Sequence, residues 1–221
     1  MNMPKATIVG DLALRYDNHP AIKALLKLLP GWGSADGLLS KRAQEIQHER
    51  LRIFMDELAS GQMPLTPALI ESEDFLHCFF RTTAAALRTR RREKIEMLAG
   101  MLQGTFREQT YSDIDDFEEL LGILDSISYR QLEVLNLLRK LEIQYAGKHF
   151  ENASARIEAY WGIFRTQVCK TLGVDKGSFD SFMTRLESSG LYARNIGGWG
   201  ANPSIGATTH MFEKLCSVIT R

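Results

Sequence analysis

The chain has 221 residues with 44% apolar content, enough for one large or two small domains with a real hydrophobic core, and this excludes a disordered chain. Formal net charge is zero, but residues 1–127 carry 15 Lys and Arg against 19 Asp and Glu, while residues 128–221 carry 12 against 8. The chain thus runs from an acidic first part to a basic second part, a polarity that permits contact with an anion such as nucleic acid without requiring it.

The expected elements are helices for most of the length. Pro20 fits the first position of a helix continuing to Leu29, and Pro30-Gly-Trp-Gly-Ser34 stops it. A longer helix is expected from Gly37 to Ser60, with Leu51, Phe54, Met55 and Leu58 at i, i+3, i+4 and i+7 on one face. Ser72 starts a third helix whose apolar positions are Phe75, Leu76, Phe79, Phe80 and Leu87, hydrophobic nearly all round in its first turns and therefore central to a bundle. The basic knot Arg88-Thr-Arg-Arg-Arg-Glu-Lys94 follows, with Thr89 expected to cap the next helix. The knot reads as a solvated junction, with an acidic partner or nucleic-acid backbone as the alternative. Ser112-Asp-Ile-Asp115 has capping-box spacing, and Ile114, Phe117, Leu121 and Leu124 form an apolar stripe; Ser128-Tyr-Arg-Gln131 has the full box before Leu132, Leu135, Leu138 and Leu141.

Residues 147–155 are the weakest patterned section and the expected linker, inside an insertion over residues 145–160. Ala153 to Phe164, with Tyr160, Trp161 and Phe164, is expected to add a helix of its own. From Arg165 the pattern is helix, glycine turn, helix and hairpin: Gly173 ends one helix, Asp175 caps the next, and Gly190 ends that one. Leu191 to Ile196 suits a strand, Gly197 to Gly206 a wing, and Thr209 to Ile219 a last helix. On the second helix of the pair, Phe179, Phe182, Met183 and Leu186 must face the core. Gly177, Ser181, Thr184 and Ser188 then face outward, flanked by Asp180 and Arg185. Of this outer face only Arg185 has the chemistry of a base-edge reader, and Asp180 repels phosphate. Lys170, Lys176 and Arg194, with Trp199 or Asn202 at the wing tip, suit backbone contact.

Catalytic and metal chemistries find little footing. His19, His48, His77, His149 and His210 have no metal-binding spacing, and Cys78, Cys169 and Cys216 form no C-x-x-C pair and read as reduced, buried, small hydrophobes. The carboxylates Asp113, Asp115, Asp116, Glu118 and Glu119 favour the positive end of a helix dipole over an acid/base pair. Gly31-Trp-Gly33-Ser-Ala-Asp-Gly37 and Gly197-Gly-Trp-Gly200 lack the ending of a phosphate loop and read as turns; no G-x-S-x-G occurs. The start of the chain shows no secretory pattern, and no apolar run reaches 18 residues, so a cytoplasmic location is expected.

Residues 128–221, chiefly the Leu172-Gly-Val174 turn, Leu186-Glu-Ser-Ser-Gly-Leu191 and the glycine-rich wing, resemble bacterial winged helix-turn-helix domains. That resemblance implies DNA binding, often as a dimer. Residues 22–104, with Leu29-Pro-Gly-Trp-Gly-Ser34, Gln47-His-Glu-Arg-Leu51, Glu71-Ser-Glu-Asp-Phe75 and Arg88-Thr-Arg-Arg-Arg-Glu-Lys-Ile95, resemble a group of bacterial helical proteins without assigned function, and that likeness carries over no functional residue. The expectation is a mainly α protein, with an N-terminal helical bundle (1–127) and a C-terminal winged helix-turn-helix with a small β-hairpin (128–221). It is expected to be non-enzymatic, to need no cofactor or metal, and to bind double-stranded DNA through Lys170, Lys176, Ser181, Arg185 and Arg194. The bundle then dimerises or senses a partner in a transcriptional regulator. The alternative is a protein-interaction adaptor, with the amphipathic stretch Ala21 to Leu39 lying on a partner helix or membrane surface.

Overall fold

The computed structural model describes residues 12, 14–29, 41–61, 63–107, 114–194 and 205–219. The turn after residue 29, the box at Ser112 and the wing tip with Trp199 and Asn202 lie outside them. The described residues are mainly helical with one two-stranded antiparallel sheet. The chain divides into two compact units, Met1–Asp125 with Ser217–Arg221, and Ser126–Cys216.

In the first unit, α1 spans Pro20–Leu28 with Pro20 at its start, and buries Ile22, Leu25 and Leu26. The long helix α2 spans Lys41–Ser60 and buries Leu51, Phe54, Met55 and Leu58, the expected stripe. A single turn, α3 (Pro67–Ile70), is capped by Thr66, whose hydroxyl accepts from the Leu69 amide at 3.2 Å. Helix α4 (Glu73–Arg88) begins where expected, with the Ser72 hydroxyl accepting from the Phe75 amide at 3.3 Å. Phe75 and Phe79 are fully buried, but Leu76, Phe80 and Leu87 are only half-buried. The inward face is completed instead by Cys78, Thr82, Thr83, Ala85 and Ala86, small residues that let neighbouring helices approach. Helices α5 (Arg92–Arg107) and α6 (Ile114–Ser126) follow. Phe75 stacks on Phe79 at 6.0 Å between ring centroids and meets Phe106 edge-on at 5.0 Å, while Phe54 of α2 lies 6.3 Å from Phe79. Truncating a ring in such a cluster costs about 3–5 kcal/mol.

Three cations of the basic knot have partners. Thr89 does not cap the following helix: it closes α4, its hydroxyl donating to the Ala85 carbonyl at 3.0 Å, because α5 begins only at Arg92. Arg88 pairs with Asp125 at 2.8 Å and Arg92 with Glu96 at 2.7 Å. Lys94 is buried, donates to the Asp125 carbonyl at 2.9 Å, and has its ammonium pKa lowered by that burial. Arg50 of α2 donates to the Leu87 carbonyl at 2.5 Å, satisfying an acceptor that the end of α4 leaves open.

The second unit opens with α7 (Tyr129–Ala146), entered through a complete capping box: the Ser128 hydroxyl accepts from the Gln131 amide at 3.2 Å, and the Gln131 side chain accepts from the Ser128 amide at 2.9 Å. Leu132, Leu135, Leu138 and Leu141 are buried. Helix α8 runs unbroken from Ala153 to Thr171, capped by Asn152. The separate helix expected over Ala153 to Phe164 is therefore not seen: that aromatic stretch and the helix expected from Arg165 are one element. A 3₁₀ turn over Lys176–Ser178 leads into α9 (Phe179–Glu187), then β1 (Tyr192–Arg194), β2 (Gly206–Thr208) and α10 (His210–Ile219). The strands pair Tyr192 with Thr208, Ala193 with Ala207, and Arg194 with Gly206. Only glycine fits at 206, where a Cβ would come 2.2 Å from the Ala193 carbonyl oxygen. Glu142 of α7 anchors the hairpin by accepting from the Thr208 amide at 2.8 Å, and Arg139 grips Glu213 of α10 through two nitrogens at 2.7 and 2.6 Å.

The last residues of α10 return to the first unit, where Gly104 of α5 meets the Val218 backbone: a Cβ at 104 would lie 2.1 Å from the Val218 carbonyl oxygen. At Gly122 of α6 a Cβ would have nothing within 4 Å. Gly104→Ala is therefore expected to destabilise the protein in urea unfolding despite alanine's better helix propensity. Gly122→Ala is expected to stabilise it by about 0.5–1 kcal/mol.

Candidate nucleic-acid interface

The surface around α9 is fixed by what lies beneath it. Phe179, Phe182, Met183 and Leu186 are all buried, as their spacing requires. Phe179 meets Trp161 at 6.3 Å and Phe164 at 6.1 Å, both edge-on, and Trp161 stacks on Tyr192 of β1 at 6.4 Å. This cluster seats α9 against α8 and the hairpin, so the rotation of α9 about its axis is set by four apolar side chains. Ser181, Thr184, Arg185 and Ser188 consequently face solvent together with Asp180.

The approach to α9 follows the sequence closely. Gly173 has φ +64° and Gly190 φ +75°, the left-handed conformation that glycine adopts without strain. Between them, the Asp175 carboxylate accepts from the Ser178 amide at 3.1 Å and caps the 3₁₀ turn. Val174 is buried and pins the turn to the core.

Of the five expected contact residues, Lys170 in the last turn of α8, Lys176 at the start of the 3₁₀ turn, and Ser181 and Arg185 on α9 are all exposed. Arg185 lies over the Phe182 ring, 5.6 Å from its centroid, which steadies the guanidinium at the surface. Arg194 differs from these. It is half-buried, its Nε lies 2.7 Å from a Glu187 carboxylate oxygen, and it also donates to the Thr184 hydroxyl. The Thr184 hydroxyl in turn donates to the Asp180 carbonyl at 2.9 Å. Sequence reasoning placed Arg194 near the site but missed Glu187 as its partner. The only signal was a carboxylate one turn beyond Thr184 on the edge of the exposed face. Arg165, not among the expected residues, is exposed and lies over the Phe179 ring, 5.1 Å from its centroid.

The carboxylate cluster of the first unit is a second candidate. An open groove of about 650 Å³ in the first unit is lined by Glu71, Glu73, Asp74, His77, Asp115 and Glu118 around Leu76, Phe80 and Ile114. Glu118 receives His77 at 2.6 Å and Arg81 at 2.5 Å, and these partners, His77 first, hold its carboxyl below the usual range. That direction runs against a general acid, which needs a raised value. Asp113 lies outside the described residues. Among the described residues, no three His, Cys, Asp or Glu side chains are grouped to hold a metal ion, and no helix is long and apolar enough to cross a membrane. Cys78 is fully buried, and burial pushes its thiol up to about 12, whereas Cys169 and Cys216 are half-buried rather than buried as expected. Comparison with protein-family models, curated proteins and solved structures finds no match to this chain.

Two outcomes follow from this local chemistry. Asp175→Ala removes the cap ahead of α9 and is expected to cost about 0.5–2 kcal/mol in thermal unfolding, with Asp175→Ser recovering most of the loss. In native protein treated with a thiol reagent at pH 8, Cys78 is expected to stay unmodified until denaturant is added, because it is both buried and protonated; mass spectrometry of the labelled peptides reads this directly.

Proposed function

We propose that the second unit is a winged helix-turn-helix module that binds double-stranded DNA, and that the protein is a non-enzymatic cytoplasmic regulator whose helical first unit dimerises or senses a partner. The observation that carries this reading is the exposed face of α9, which follows a capped glycine turn, has spent all its apolar residues on the core, and presents Ser181, Thr184 and Arg185, with Lys170 and Lys176 exposed on the elements that precede it and Arg194 packed against it. Exposed hydroxyls and cations suit phosphate and sugar contact, which fixes a protein on the duplex without reading bases. On α9 itself, Arg185 has the donor fork that reads guanine. Binding is therefore dominated by the backbone, weak in sequence discrimination and steeply salt-dependent.

A second reading, an adaptor that uses the same face on a protein, is favoured by Asp180 and Glu187. These carboxylates border the face and are unfavourable beside phosphate. The two readings part on charge.

Fluorescence anisotropy with random-sequence duplex DNA is expected to show binding at low salt that falls steeply toward physiological salt. The triple variant Lys170→Glu, Lys176→Glu, Arg185→Glu, whose three sites are all exposed, is expected to keep its thermal unfolding profile and lose affinity by roughly 100-fold or more. Absence of binding at low salt, or undiminished binding by the triple variant, assigns the face to a protein partner.

A further inference from the structure

Arg194 is the one expected contact residue whose charge is already engaged. It stands at the end of β1, opposite Gly206, and lies against α9 with its side chain 26% exposed. Glu187, 39% exposed, closes on its Nε at 2.7 Å, and Thr184, three residues earlier on the same helix, takes a second nitrogen. The Thr184 hydroxyl has given its own proton to the Asp180 carbonyl, so it meets Arg194 as an acceptor. The guanidinium is thereby held beside the face that carries Ser181 and Arg185, with a carboxylate against its buried Nε.

Resting on the DNA-binding reading above, we propose that Glu187 is an electrostatic gate on that face: its carboxylate competes with DNA phosphate for Arg194 and holds one phosphate contact in reserve. The Arg194 Nε itself is shut off from solvent, but both side chains are partly exposed, so a phosphate that reaches the outer guanidinium nitrogens competes with the carboxylate for the same charge. The Arg194 guanidinium donates to carboxylate and phosphate oxygens alike, so the competition is between one oxyanion and another. The protein thus binds DNA more weakly than its count of cations implies. Any event that neutralises or draws off Glu187 strengthens binding without altering α9.

The test is a double-mutant cycle on the full chain, with random-sequence duplex DNA titrated by fluorescence anisotropy across a salt series. Glu187→Gln keeps the shape and an oxygen acceptor for Arg194 while removing the charge, so the hairpin is expected to remain docked; thermal unfolding of each variant checks this. Glu187→Gln is expected to tighten binding by roughly fivefold to tenfold at low salt and to steepen the slope of log K against log salt by about 0.9, the signature of one added phosphate contact. In an Arg194→Gln background the same change is expected to give little or no gain. An equal gain in both backgrounds would overturn the proposal, because Glu187 would then act as general repulsion and not through Arg194. Unchanged or weaker binding by Glu187→Gln would overturn it too, and would make the pair a clip between strand and helix. Failure of all four proteins to bind at low salt removes the DNA-binding reading itself, and the gate with it.

Discussion

The second unit depends on the aromatic contact between Trp161, Phe164, Phe179 and Tyr192. Three elements supply these rings, α8, α9 and β1, and each ring is largely removed from water. Burying a side chain of this kind contributes about 1.5–3 kcal/mol, more than any single exposed ion pair nearby. The cluster therefore decides where α9 lies and which way it is turned. The polar residues on its outer face are positioned as a by-product of packing, and the surface chemistry could be exchanged with little effect on the fold.

Much of this was legible in the sequence because the signals were local. The Ser128 box, the Ser72 cap, the Asp175 cap and the two left-handed glycines each depend on a few consecutive residues, and each is present. The stripe on α9 was legible for a related reason: four apolar residues at helical spacing leave only one orientation toward a core. The antiparallel strand pair was legible from the small and turn-forming residues between Leu191 and Thr209.

What the sequence concealed was non-local. Nothing near Thr89 shows that its hydroxyl turns back to Ala85, because the decision rests on where α5 starts. The pairing of Arg194 with Glu187 joins residues on different elements and depends on how β1 docks. Gly104 looks like a poor helix residue until the Val218 backbone is found against it. The linker expected over 147–155 corresponds to the junction between Gly147 and the Asn152 cap, whereas the separate helix expected to end at Phe164 continues to Thr171.

The unbroken α8 has a consequence for how this region can change over evolutionary time. An α-helix turns about 100° per residue, so the ring-bearing positions Tyr160, Trp161 and Phe164 and the cation at Lys170 are locked in angular phase. Inserting or deleting one residue between Phe164 and Lys170 would swing the lysine about a quarter-turn around the helix axis while the rings stayed seated. Seven-residue insertions, close to two full turns, would nearly restore its heading at the cost of carrying it about 10 Å along the axis. Length variation among descendants of this sequence should thus gather before Asn152 and in the hairpin connection, with α8 keeping its register.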